Sequence, residues 1–385
     1  MNKYILDTIR NNSRSLLRQL TLPQQKAVNE IIRGLFTANT PILRHLAQNP
    51  EKGAKRQGDK YSYHLKQIDL KKKVELFSLN RVKNEVKKNS IIAYDLTDIA
   101  KDYAKKMEKI SRIFDGSKRK GANGYTLHGV GLNNILLKLE VHDGEVNTTN
   151  QIRKKIVEEL SKVFKKKGIW VFDRGNDDKA FFKFLRHIVK AQFIARLKLN
   201  RQVVMKETGA IMRVSELPPG HYTVYLMNRN NNKVDIRYEY TLVIHNHLDG
   251  KEPIRLLAYL KDNYGDEQIL TMYLERWGVE NIYRRTKTKF NLEKIRVLEY
   301  QKFVNLIALI QFALNLSPIT FIQIQKLTCS LISGALFCYR KFLRQKSLTF
   351  NLDSFISFLT YSLKPLIVHH KKTPPDQLTL FKTGI

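Results

Sequence analysis

Residues 90–98 read SIIAYDLTD, and residues 168–178 read GIWVFDRGNDD. In the first stretch an apolar run from Ile91 to Tyr94 stops at Asp95. In the second, Ile169 to Phe172 stops at Asp173, and a glycine turn and a helix starting near Lys179 follow. Short apolar runs bounded by polar residues read as buried strands. Open α/β sheets place their sites at the carboxyl ends of such strands. An Asp at a strand end is also a common turn former or helix cap, so neither decides anything alone. Asp98 competes with Asp95 for the first position. Asp95 is preferred because it directly follows the apolar run, while Asp98 reads as a helix N-cap.

A third stretch, TMYLERWGVENIYRRTKTKF at 271–290, reads as a helix whose best-defined face is polar. At ~100° per residue, with Tyr273 at zero, Arg276 falls near ~300°, Glu280 near ~340°, Lys287 near ~320° and Arg284 near ~20°. One carboxylate stands among three cations. Such a face is either a solvated surface with pairs like Glu280–Arg284, or a metal-binding carboxylate flanked by donors for phosphate oxygens. Two strand aspartates and a helix glutamate together favour the second. Three carboxylates can hold two divalent cations that clamp the attacking and leaving oxygens of a phosphoryl displacement. Mg²⁺ suits carboxylate, water and substrate oxygens.

The surrounding chain fits that chemistry. Its 385 residues carry 68 Lys and Arg against 35 Asp and Glu, a formal net charge of +33. A charge of that size implies a polyanionic partner, most often nucleic acid. The basic residues are spread over every segment, which suits a membrane-surface protein poorly. With 43% hydrophobic residues, the chain can bury a sizeable core. Two cysteines, Cys329 and Cys338, make neither a disulfide framework nor a metal cluster. The N-terminal segment has no signal-peptide core, so a cytoplasmic, nucleoid-associated location is expected. Residues 303–325 carry no charge, but Asn305, Gln311, Asn315, Pro318, Gln323 and Gln325 interrupt them. A buried core helix is expected there.

Helical spacing marks residues 1–80 as a helical, DNA-binding or simply hairpin-like region, with a polar, basic linker at 49–60. The segment 124–141 reads as strands and 151–167 as a basic amphipathic helix. Residues 192–253 are strand-rich, and VDIRYEYTL alternates with a period of two beyond an Asn-rich turn at 228–232. IRLLAYL at 254–260 reads as another strand. Residues 301–370 look helical, and 371–385 form an extended tail.

The spacing Tyr273-x2-Arg276-x3-Glu280-x6-Lys287 resembles the Y-R-E-K signature of the cut-and-paste DDE transposases of the bacterial insertion-sequence-four family. IIAYDLTD resembles the strand of that family's first Asp, WVFDRGNDD that of its second, and GYTLHG the segment between them. The resemblance covers about residues 90–300. It implies an α/β, RNase H-like catalytic domain over 88–300, interrupted by a β-rich insertion at 192–253. It also implies that Asp95, Asp173 and Glu280 bind two Mg²⁺ ions, for which Mn²⁺ can substitute, and that Tyr273, Arg276 and Lys287 hold phosphates near the cut, with Arg284 beside them. The expected partners are the element's terminal inverted repeats and target DNA, bound by a homodimer in a synaptic complex. The expected reaction is phosphodiester cleavage and joining of a 3′-OH to target DNA. A related nuclease without strand transfer and a silent DNA-binding relative are the alternatives. Excision through a hairpin often uses a flipped base stacked on an aromatic ring. This chain departs there, since its only tryptophans, Trp170 and Trp277, lie outside the insertion. Arg196 and Arg201 are either backbone-phosphate contacts or a solvated basic edge. In the tail, QLTLF resembles the peptide with which bacterial proteins dock on the replication sliding clamp. Gln377 would anchor it, while Leu378, Leu380 and Phe381 would fill an apolar pocket.

Overall fold

The computed structural model describes residues 2–47, 52–116, 118–227, 234–246 and 252–328. The clamp-like tail with Gln377, Leu378, Leu380 and Phe381, both cysteines and the Asn-rich turn lie outside the described residues. The chain divides into two compact units, one of residues 1–77, 100–110 and 284–385, the other of 78–99 and 111–283.

The first unit is helical. Helices α1 (Asn2–Leu17), α2 (Leu22–Ala38) and α3 (Ala54–Gln67) pack on α9 (Tyr300–Thr328). Helix α2 buries Ala27, Val28, Ile31, Ile32 and Leu35 at helical spacing. The expected linker at 49–60 is helical from Ala54 onward, where α3 seats Gln57, Gly58, Tyr61 and Leu65 in the core. The uncharged run at 303–325 lies in α9, and its residues 305–317 are buried, as the expected core helix requires. Asn305 is wholly buried and fully used: Oδ1 accepts from the Leu70 amide at 2.8 Å, and Nδ2 donates to the carbonyls of Leu65 (2.8 Å) and Ile68 (2.7 Å). Among the described residues no helix is long and apolar enough to cross a membrane.

The second unit is built on one mixed sheet of eleven strands. In chain order these are β1 (Ile91–Ala100), β2 (Ser111–Asp115), β3 (Lys120–Leu132), β4 (Ile135–Val141), β5 (Ile169–Phe172), β6 (Gln192–Arg196), β7 (Gln202–Met205), β8 (Ile211–Arg213), β9 (Gly220–Met227), β10 (Val234–His245) and β11 (Ile254–Tyr259). The order across the sheet is β2-β3-β1-β5-β6-β11-β10-β9-β7-β8, with β4 paired to β3. Strands β1, β5 and β6 run parallel. The crossover from β4 to β5 carries α5 (Thr149–Val163), and β5 leads to β6 through α6 (Lys179–Lys183) and a π-helical turn. The strand-rich segment at 192–253 begins with β6, which sits inside the sheet between β5 and β11. Strands β7–β10 then extend the same sheet outward from β11.

Side-chain alternation gives this sheet two apolar faces. Ile92, Tyr94, Trp170, Phe172, Phe193 and Ala195 point into one core with α5 and α6. Ile91, Ile169, Val171 and Ile194 point into another, closed by Ile269 and Tyr273 of α7 (Asp266–Leu274).

Candidate active site

The parallel register pairs Ile91 with Ile169 and Tyr94 with Phe172. Continued by one residue, it sets Asp95 beside Asp173. Both share the parity of Ile91, Ile169 and Val171, so both lie on the face that α7 covers. Asp173 stands at its strand end, as expected. Asp95 does not, because β1 runs on to Ala100 alongside the longer β3 while β5 stops at Phe172. Asp98 therefore caps no helix. It lies within β1 and accepts a hydrogen bond from Thr126 Oγ1 at 2.6 Å.

The stretch 271–290 is two helices, not one. Helix α7 ends at Leu274 and α8 (Trp277–Lys289) begins after a joint at Glu275 and Arg276. There the amides of Arg276, Gly278 and Val279 bond to carbonyls three residues back, and Gly278 weakens helical continuity. Tertiary packing explains the break. Tyr273 is drawn into the apolar core, 3% exposed, while Val279, Ile282 and Tyr283 are buried in turn. Gly131 of β3 lies directly beneath Val279 and Ile282. Tyr273 thus leaves the polar face that a single helix predicts. Its ring lies 5.6 Å from the Arg276 guanidinium carbon, within cation–π range.

The joint turns Arg276 inward, where it is 6% exposed. Its Nη1 donates to Asp95 Oδ2 at 3.2 Å and stands 2.6 Å from Glu280 Oε1. One buried guanidinium therefore joins two of the three expected carboxylates. Asp95 is held at three points: Oδ2 by Arg276, Oδ1 by the Leu96 amide at 2.9 Å, and its carbonyl by the Tyr283 hydroxyl at 2.8 Å. Burial, with the nearby Asp173 charge adding to it, pushes the Asp95 carboxyl up to about 7, although Arg276 opposes the shift. Burial likewise raises the Tyr283 phenol well above its ordinary value, which keeps it a donor. Tyr283 reaches Asp95 because residue 129 is glycine, where a Cβ would lie 1.8 Å from the hydroxyl oxygen. Asp173 Oδ1 accepts from the Gly175 amide at 3.1 Å and from Asn176 Nδ2 at 2.5 Å.

Asp95 and Asp173 come together in register, and Glu280 is tied to Asp95 through Arg276. Among the described residues no three His, Cys, Asp or Glu side chains converge closely enough to hold a metal ion. The expected three-carboxylate cage is thus not closed, and Arg276 stands between Asp95 and Glu280. The donor set nevertheless fits a hard divalent cation. It offers only carboxylate oxygens, and Asp95 is a buried carboxyl beside Asp173, a setting in which its charged form needs a cation. Glu280 is half-exposed and held at Oε1 by Arg276 at 2.6 Å.

Arg284 is exposed, and Lys287 pairs with Glu293 at 3.5 Å; both lie in the last turns of α8, in the helical unit. Arg196 is partly exposed at the end of β6. Arg201 does not face solvent. It is 6% exposed and its guanidinium grips the buried Asp177 carboxylate, with Nε at 3.0 Å from Oδ1. Sequence reading missed Tyr283, Gly129, Asn176 and Arg153. Asn176 left a local signal, as a polar residue three positions after a capping Asp, and so did Arg153, at helical spacing from Ile156, Val157 and Leu160.

A family model described as the transposase DDE domain matches residues 87–316, well over half the chain. Members of that family are generally dependent on divalent metals. Among solved structures the chain is similar to the piggyBac transposase synaptic complex with hairpin DNA determined by cryo-EM. The TM-score is 0.50 at 11% identity, covering 97% of this chain and 81% of that one. At that identity the likeness is one of fold. No curated protein matches the chain. A mixed RNase H-like sheet, two aspartates in register on its central parallel strands and a family match spanning both lead to one assignment: the chain belongs to the DDE transposase domain family and is an enzyme of that kind.

Proposed function

We propose that the chain is a cut-and-paste insertion-sequence transposase of the insertion-sequence-four type. It would cleave phosphodiesters at its element's terminal inverted repeats and join the 3′-OH ends to target DNA. The observation that carries this reading is the meeting of Asp95, Asp173 and, through Arg276, Glu280 at one end of the parallel strands. A role in binding alone does not require two aspartates in register on neighbouring strands, with a glutamate joined to one of them by a buried guanidinium.

Asp95, Asp173 and Glu280 would hold the divalent cations, Mg²⁺ or Mn²⁺. Once bound there, such ions supply Lewis-acid stabilisation of the attacking and leaving oxygens. Around them the chain's own groups act by position and charge. Arg276 holds the anionic site together without metal, and its second role is to donate to a substrate phosphate once Glu280 turns to the metal site. Tyr273 supports that guanidinium from the core. Tyr283 fixes the Asp95 backbone. Arg284 and Lys287 would hold flanking DNA phosphates. The +33 charge supports DNA as partner and implies binding that weakens steeply with salt. A homodimer bridging two element ends is part of this proposal.

The test uses purified full chain, a duplex carrying the native element end, and Mg²⁺ or Mn²⁺, comparing wild type with Glu280→Ala. Cleavage by wild type alone, followed by joining to a plasmid, is expected. Cleavage without joining would reassign the chain as a nuclease. Binding without cleavage by either protein would overturn the catalytic reading.

A further inference from the structure

Asp173 caps a short 3₁₀ turn, Arg174–Asn176, and its two carboxylate oxygens have different surroundings. Oδ1 takes both available donors, the Gly175 amide and Asn176 Nδ2. Oδ2 has no hydrogen-bond donor among the described residues. Asn176 is 3% exposed, and its amide is itself held from behind. Arg153 Nη1 donates to Asn176 Oδ1 at 2.9 Å and to its carbonyl at 3.3 Å. Since a guanidinium only donates, Asn176 must turn its oxygen to Arg153 and its NH₂ to Asp173.

Arg153 is in turn immobilised. It is 3% exposed on the buried face of α5, 3.7 Å from the Phe181 ring centroid, with Nη2 on Asn150 Oδ1 at 2.8 Å and near Asp178 Oδ2 at 3.4 Å. The start of α6 does not need Asn176, because Asp178 caps it through the amides of Ala180 and Phe181. The Asn176 side chain therefore has one evident task, which is to connect a buried cation to Asp173.

We propose that Asn176, aligned by Arg153, is a positioning residue that locks the Asp173 carboxylate by Oδ1 and presents Oδ2 as a fixed ligand oxygen for a divalent cation. The inference rests on the metal-site reading above. It makes Asp173 the preorganised member of the carboxylate set and Glu280 the member that moves.

The test measures Mn²⁺ binding to the full chain by calorimetry, together with the Mn²⁺ concentration that half-saturates cleavage. The proteins are wild type, Asn176→Ala, the double variant Asn176→Leu/Arg153→Met, and Asp173→Ala. The double variant removes both polar partners at similar volume, a replacement that buried charged groups commonly tolerate. It keeps the test alive if Asn176→Ala fails to fold. Both variants are expected to bind Mn²⁺ about tenfold or more weakly, with cleavage recovering at high Mn²⁺. A purely structural role would not shift that half-saturation point. Wild-type Mn²⁺ affinity in either folded variant, with affinity lost in Asp173→Ala, would overturn this inference alone. Wild-type affinity in Asp173→Ala would overturn the metal-site reading and this inference with it.

Discussion

Arg276 reaches Asp95 across 181 positions of sequence and places Nη1 3.2 Å from Oδ2. Because the same nitrogen also meets Glu280, the charge balance of the metal-free site depends on one side chain. Arg276→Met keeps the bulk and removes the charge. Breaking a buried pair from one side typically costs about 3–5 kcal/mol, so stability in metal-free buffer should fall on that scale. Part of the loss should return with millimolar Mn²⁺. Urea unfolding with and without Mn²⁺ checks both, and an unchanged metal-free midpoint would contradict the geometry.

The raised Asp95 carboxyl makes stability depend on pH. Its folded value of about 7 lies above the unfolded value of ~3.9, so the folded state binds this proton more tightly. Without metal, stability should therefore fall as pH rises from ~4 to about 7 and level off above. Asp95→Asn removes the titration. The difference in unfolding free energy between variant and wild type should shift by roughly 3 kcal/mol in the variant's favour across that window. A flat difference would place Asp95 in a polar, solvated setting instead.

Gly129 and Tyr283 form a steric pair. Gly129→Ala would drive Tyr283 off the Asp95 carbonyl, with an expected cost of about 2–3 kcal/mol from overpacking and the lost bond. Tyr283→Phe keeps the ring and should cost only about 1 kcal/mol. Cleavage should fall in both, further in Gly129→Ala. Thermal unfolding and end-cleavage rates separate the two variants.

Arg201 offers a test of burial against surface charge. Arg201→Met should destabilise the fold by about 3–5 kcal/mol, because Asp177 then keeps a buried charge. Asp177 Oδ2 would retain only the Lys198 amide at 2.9 Å. The slope of DNA affinity against salt should not change, since that slope counts phosphate contacts. A shallower slope would return Arg201 to the DNA surface.

How much of this was legible in sequence follows from the range of the forces involved. The runs Ile91–Tyr94 and Ile169–Phe172 announce strands because burial of both sheet faces leaves an uninterrupted apolar stretch, and each carries its Asp in the next position. Asp98 was misread because a helix cap and an in-strand carboxylate look alike until Thr126 is brought opposite. The helix at 271–290 was misread because periodicity assumes an unbroken screw, whereas Tyr273 and Arg276 are pulled by different partners, an apolar core and Asp95. Strand β2, reading SRIFD with an exposed Phe114, left no apolar run to notice. Arg153 was legible but unread: it stands at helical spacing from Ile156, Val157 and Leu160, on the apolar face that Lys154, Lys155 and Lys162 avoid.

The pairing of β1 with β5 also constrains how the gene can vary. Asp95 and Asp173 stand 78 positions apart in the chain, and the loops among them can lengthen or shorten without changing the strand register. A single codon gained inside β5 is different in kind. It would turn Asp173 toward Tyr94 and Phe181 and present an apolar residue in its place. Neutral drift in this enzyme is therefore a matter of parity: the connections tolerate any number, while within the two strands only even steps keep an acid on the working face.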